Sequence, residues 1–92
     1  MSHTIRDKQK LLHRIRRIRG QVEAVEEALE KEQECSAVLQ LIAACRGAMN
    51  GLMGEVIEDH IRLHVVDPDE RPTRQQTEAA EELIDVLKAY LK

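Results

Sequence analysis

With 92 residues, one Tyr and neither Phe nor Trp, the chain has room for a single small domain (1–92) with an aliphatic core. No apolar run is long enough to span a membrane and the N-terminus lacks a signal-peptide core, so no membrane association and a cytoplasmic location are expected. The net charge of −3 argues against nucleic acid only until its distribution is read: residues 5–20 carry Arg6, Lys8, Lys10, Arg14, Arg16, Arg17 and Arg19 against Asp7 alone, whereas residues 21–34 carry six glutamates against Lys31.

The first helix is predicted from about Thr4 to Glu30. Leu11, Ile15, Ile18, Val22, Val25 and Leu29 alternate four and three apart, the heptad seam of helices packed at shallow angles. Gly20 interrupts the helix at a cost of roughly 1 kcal/mol relative to Ala, which points to a close helix–helix approach there. Beside the seam, Lys10, Arg14, Arg17 and Gln21 make one polar stripe. Arg16 and Arg19 lie on the opposite flank, with Lys8 near the start. Most charge runs end as a solvated face. Here the arginine density, with little acid between, favours phosphate contact, and no aromatic stands near for stacking on single strands.

The polar stretch Lys31–Glu34 is predicted to turn the chain. Ser36 caps or enters a second helix running to about residue 65. Its seam is Val38, Ile42, Cys45, Met49, Leu52 and Val56, widened by Leu39, Leu41, Ala43, Ala44, Ala48 and Met53. A helix apolar on more than one side needs more than one neighbour. Gly47, Gly51 and Gly54 allow close packing. Two prolines in Asp67-Pro-Asp-Glu-Arg-Pro72 then break the helix. A third helix is predicted over about 73–91, with Ala80, Leu83, Leu87 and Tyr90 inward.

The fold class is therefore all-α, with three helices per chain. Alone, these helices leave the second one uncovered. Pairing two chains makes an antiparallel four-helix-bundle dimer.

Cys35, His60 and His64 are candidate metal ligands. His60 and His64 stand four apart and project from one helix face. Cys35 precedes His60 by 25 residues, about 37 Å along a helix. The three can meet only if a second chain, running antiparallel, brings its histidines to this cysteine. A lone cytosolic cysteine is more often a bystander, and His13, among arginines, reads as plain surface. Cys45 lies on the apolar seam and reads as core. The two cysteines are about 15 Å apart on one helix, too far to bridge, and are expected as thiols. At the N-terminus, removal of Met1 would leave an amine at Ser2. That amine, a backbone nitrogen and His3 can wrap one ion; a disordered tail is the plainer reading. Glu34 stands beside Cys35 as an outer-shell candidate.

The stretches 1–10, Arg-Ile-Arg-Gly-Gln ending at Gln21, Glu34-Cys35, Ala43-Ala44, Arg46-Gly47-Ala48, Asn50–Met53, Glu55-Val56 and His60-x-x-x-His64 resemble the CsoR/RcnR family of small helical bacterial repressors over the whole chain. The resemblance implies a disc-like homotetramer, a dimer of dimers, that binds double-stranded operator DNA without a helix-turn-helix. It also implies that effector binding near Cys35 weakens DNA binding. Copper(I) sensors of the family have Cys where this chain has His64. Formaldehyde sensors have Pro where it has Ser2. The set His3, Cys35, His60 and His64 looks like the RcnR-like and DmeR-like branch that responds to nickel or cobalt. Leu63 departs from that branch, where an acidic residue is expected. A mixed N/S donor set suits Ni(II) or Co(II), and also admits Zn(II). The expected function is a repressor that releases DNA on binding nickel or cobalt and so derepresses an efflux gene. The competing readings are a formaldehyde-responsive repressor with Cys35 as nucleophile, and a helical scaffold without regulatory role. No nucleophile–base–orienter set or phosphate loop supports an enzyme.

Overall fold

The computed structural model describes residues 7–91; Ser2, His3 and the expected helix start at Thr4 lie outside them. Three helices carry the chain: α1 (Lys8–Glu30), α2 (Cys35–His60) and α3 (Arg74–Tyr90). Among the described residues there is no strand.

Lys31–Glu34 turns the chain as expected. Glu32 adopts a left-handed φ of 54°, and the Gln33 N–H donates to the Ala28 carbonyl at 3.0 Å. This closes α1 by satisfying one of its free terminal carbonyls. α2 opens at Cys35, one residue earlier than expected. Ser36 therefore sits inside the first turn, and Glu34 holds the cap position without a side-chain bond.

The second helix is not α throughout. After His60 it widens into a π-helix over Ile61–Val65, and the Val66 N–H reaches back five residues to the Ile61 carbonyl at 2.9 Å. The proline segment follows. Asp67 accepts from the Asp69 N–H at 2.9 Å and starts a 3₁₀ turn, Pro68–Glu70. Thr73 and Gln76 then cap α3 reciprocally, with bonds of 3.1 and 2.8 Å.

Lys10 and Arg14, near the start of α1, both reach Glu55, near the end of α2, so the two helices run antiparallel. α3 lies against the end of α2. A Cβ built at Gly54 would stand 3.8 Å from Leu91 and 3.9 Å from Lys88, and Gly54 is buried. Gly51 and Gly54 are thus points of close approach. Gly20 and Gly47 meet nothing within this chain, so the expected approach at Gly20 is not made here.

The chain measures 56 × 25 × 12 Å, so its thinnest dimension is about one helix. One layer cannot enclose a core. Buried apolar side chains are few: Leu11, Ile18, Ala28, Ile61 and Ile84. On α1, Ile15, Val22 and Leu29 of the seam are exposed; on α2, Leu39, Ile42, Met49 and Met53 are.

α3 docks in a different phase from the one expected. Ile84 is 2% exposed and Ala80 and Leu87 are half-buried, whereas Leu83 and Tyr90 face outward. The helix carries two apolar stripes, Ala80–Ile84–Leu87–Leu91 and Leu83–Val86–Tyr90. With the first facing inward, Glu81 and Lys88 reach Arg62 and Glu58. Replacing the buried Ile84→Ala should lower the unfolding free energy by about 2–4 kcal/mol in urea titrations at fixed protein concentration.

Candidate metal centre and nucleic-acid interface

His60 closes the α-helical part of α2 and His64 sits one turn later, inside the widened π turn. Their ring centroids are 5.3 Å apart with planes tilted by 36°. An ion bonded at 2.0–2.1 Å to one nitrogen of each ring lies roughly 3.2 Å from each centroid, so this spacing fits an N–metal–N angle of about 110°. The spacing is thus compatible with a shared ion, and both rings are exposed.

Cys35 is also exposed and is a free thiol, as is half-buried Cys45. Among the described residues no three His, Cys, Asp or Glu side chains gather within one chain. The structure thus holds the histidine pair together and Cys35 at the far end of the same helix. Steps of 7, 14, 18 and 25 residues from Cys35 return to nearly one helical angle. Ile42, Met49, Met53 and His60 occupy those steps. The cysteine and the clamp are the two ends of one stripe. Its middle, Ile42, Met49 and Met53, is 45–51% exposed.

The turn bearing the clamp is tied down by charge. Arg62 Nε donates to Glu58 at 3.0 Å, and its two terminal nitrogens fork onto both oxygens of Glu81 in α3, one at 3.1 Å. Lys88 Nζ reaches Glu58 at 2.5 Å. The Lys88 hydrogen bond, aided by Arg62 and opposed by burial, holds the Glu58 carboxyl below its ordinary value of 4.5. Arg62 likewise lowers Glu81. Glu58 raises Lys88, and Glu81 and Glu58 raise Arg62. Sequence reading missed these four residues. The i,i+4 spacing of Glu58 and Arg62 was a local signal; Glu81 and Lys88 are partners only through the fold.

The basic residues of α1 divide into two sets. Arg14 is half-buried and bonds Glu55 at 3.2 Å, and Lys10 sits 3.4 Å from the same carboxylate. Gly51 leaves the space for this: a Cβ there would lie 2.6 Å from Arg14 Nη1. Gln21 is half-buried and its Oε1 is shielded from solvent. Arg14 and Gln21 are therefore partly covered, whereas Lys10 keeps its side chain 70% exposed beside Glu55. Lys8, Arg16, Arg17 and Arg19 are exposed, as is Arg46 on α2. No described helix is long and apolar enough to cross a membrane.

The family model for metal-sensitive transcriptional repressors matches residues 7–89. The chain is 56% identical to an uncharacterised protein from the bioA 5′ region of Serratia marcescens and 50% identical to the transcriptional repressor RcnR of Citrobacter koseri, in both cases over the full length of each chain. Among solved structures it resembles a glutamate-to-histidine variant of the formaldehyde-responsive regulator FrmR from Salmonella enterica serovar Typhimurium. That similarity has a TM-score of 0.65 and 49% identity, and covers 92% of this chain and 94% of that one. The chain belongs to the metal-sensitive transcriptional repressor (CsoR/RcnR) family, whose members are regulators and not enzymes.

The ion-pair network sets a pH window. Glu58 and Glu81 have lowered values, so their contribution to stability is complete above the ordinary 4.5 and is lost as pH falls through the lowered folded values. Lys88 is raised, so its contribution is lost only as pH climbs above the ordinary 10.5. Melting followed by circular dichroism should be flat across neutral pH and fall below about pH 4. Glu81→Gln should weaken that acid dependence.

Proposed function

We propose that this chain represses transcription when metal-free and releases its operator on binding Ni(II) or Co(II), with Zn(II) also admitted by the donor set. The observation that carries the reading is the single stripe of α2. Cys35 stands at one end, the His60–His64 clamp at the other, and exposed Ile42, Met49 and Met53 between. Antiparallel packing of two such stripes about a two-fold axis near Met49 buries the apolar middle. It also lays each Cys35 beside the clamp of the other subunit. Ser2, through its amine, and His3 complete the donors from the N-terminal tail. Two such dimers form the homotetramer, and the operator double helix lies against α1.

Bound metal supplies charge and directional bonds that join parts of two subunits. The chain's own groups do the rest. Lys8, Arg16, Arg17 and Arg19 offer cations to phosphate, Lys10 and Arg14 contact DNA as Glu55 yields them, and Gln21 adds a polar contact. Cross-linking Cys35 to the clamp biases the α2 pair to one spacing, and α1 moves with α2 through the Glu55 ion pairs. Linkage requires DNA to lower metal affinity by the same factor that metal lowers DNA affinity, typically ~5–150-fold.

One observation favours a second reading. The solved neighbour FrmR is formaldehyde-responsive by name, and in this chain Cys35 is exposed and free to act as a nucleophile.

DNA-binding titrations with nickel, cobalt, zinc, copper(I) and formaldehyde in parallel separate the two. Nickel or cobalt should release the operator and His64→Ala should abolish that response; release by formaldehyde alone, surviving His64→Ala, would overturn the metal reading. Arg17→Ala should weaken binding on all sequences and reduce the salt slope by about one for each phosphate left without its cation. Met49→Asp should shift sedimentation toward single chains and abolish tight cobalt binding together.

A further inference from the structure

Arg62 stands midway between the two histidines of the clamp, on the turn where the backbone opens from α to π geometry. A π turn is rare and occurs mostly as a single turn within an α-helix, often at a functional site. Two features anchor this one. Ile61 is 5% exposed and pins the start of the turn into the small core. Arg62 pins the next residue: its fork grips both Glu81 oxygens on α3 while Nε holds Glu58, one turn back on α2.

The wider turn changes where His64 points. In an α-helix a residue four positions on is advanced past its predecessor; in the π turn it falls back across that line. Across this turn the two ring centroids stand 5.3 Å apart with planes tilted by 36°. Only an arginine supplies donors in two directions at once: a lysine has one compact ammonium and cannot fork onto Glu81 while holding Glu58.

We infer that Arg62 is the positioning residue of the histidine clamp, its fork onto Glu81 and Glu58 holding the widened turn that sets the His60–His64 spacing. The role rests on the metal reading proposed above and extends it: ion affinity becomes a property of how α3 docks, although α3 supplies no donor.

The test uses the full chain and Co(II) alone, whose absorption bands report coordination directly. Wild type, Arg62→Gln and Glu81→Gln are compared, each with and without His64→Ala. Helicity and oligomeric state of the metal-free proteins are measured alongside. Both single variants should lose about 10–100-fold in Co(II) affinity, the range typical of residues that orient ligands, with shifted bands and unchanged metal-free helicity. In the His64→Ala background neither should cost anything further, because the residue it positions is gone. Wild-type affinity and spectrum in both variants would overturn the role. So would an equal further loss in the His64→Ala background, which marks a general structural effect. If Arg62→Gln fails to fold, Glu81→Gln decides alone, since it leaves Arg62 and both histidines in place. A wild-type chain that takes up no Co(II) would remove the metal reading and this role together, an outcome distinct from either of the others.

Discussion

A helix can bury one stripe against one neighbour, and α2 carries more apolar surface than one neighbour covers. α1 takes the side with Val38, Cys45, Leu52 and Val56, all half-buried. Leu39, Ile42, Met49 and Met53 stay in water in the single chain, and α1 leaves Ile15, Val22 and Leu29 likewise. A body only 12 Å thick has no second layer to cover them. Uncovered aliphatic area at about 25 cal/mol per Å² is the force available for self-association. The proposed pairing would use that force to bring together Cys35 and the His60–His64 pair, which do not meet within one chain among the described residues.

The end of α2 concentrates the specific interactions. Glu58, Arg62, Glu81 and Lys88 form a continuous alternation of charge between α2 and α3. Exposed ion pairs taken singly contribute little. A bidentate arginine shared between two carboxylates is geometrically demanding, and its use here is orientation more than stability. It joins α3 to the π turn that bears His64. The inferred role of Arg62 uses these same bonds.

Glu55 plays a related part at the other surface. It engages Lys10 and Arg14, two residues expected to meet DNA, so phosphate must compete with an internal carboxylate for them. Gly51 makes that arrangement accessible by leaving room for the Arg14 guanidinium. The exposed Lys8, Arg16, Arg17 and Arg19 meet no such competition among the described residues. The basic segment thus divides into an open set and a tethered set, and the tethered set connects α1 mechanically to the helix that bears the clamp.

Much of this was legible in the residues. Heptad spacing marked α1 and α2, the proline pair ended α2 and left α3 to start at about Thr73, and the segregated charge marked a basic helix within an acidic chain. These are local signals, carried by periodicity and by side chains that bond their own backbone. Helical spacing also placed His60 and His64 together and barred Cys35 from joining them within one chain. Tertiary structure alone decided the rest. Ile84 rather than Leu83 or Tyr90 turned inward: α3 bears two apolar stripes, and which one docks depends on contacts with another helix that periodicity does not carry. The π turn at Ile61–Val65 had no signal in the periodicity, and Arg62 within it bonds Glu81 on another helix. Lys10 and Arg14 folded onto Glu55 because a carboxylate 41 positions from Arg14 in sequence arrives within bonding distance only once the hairpin closes.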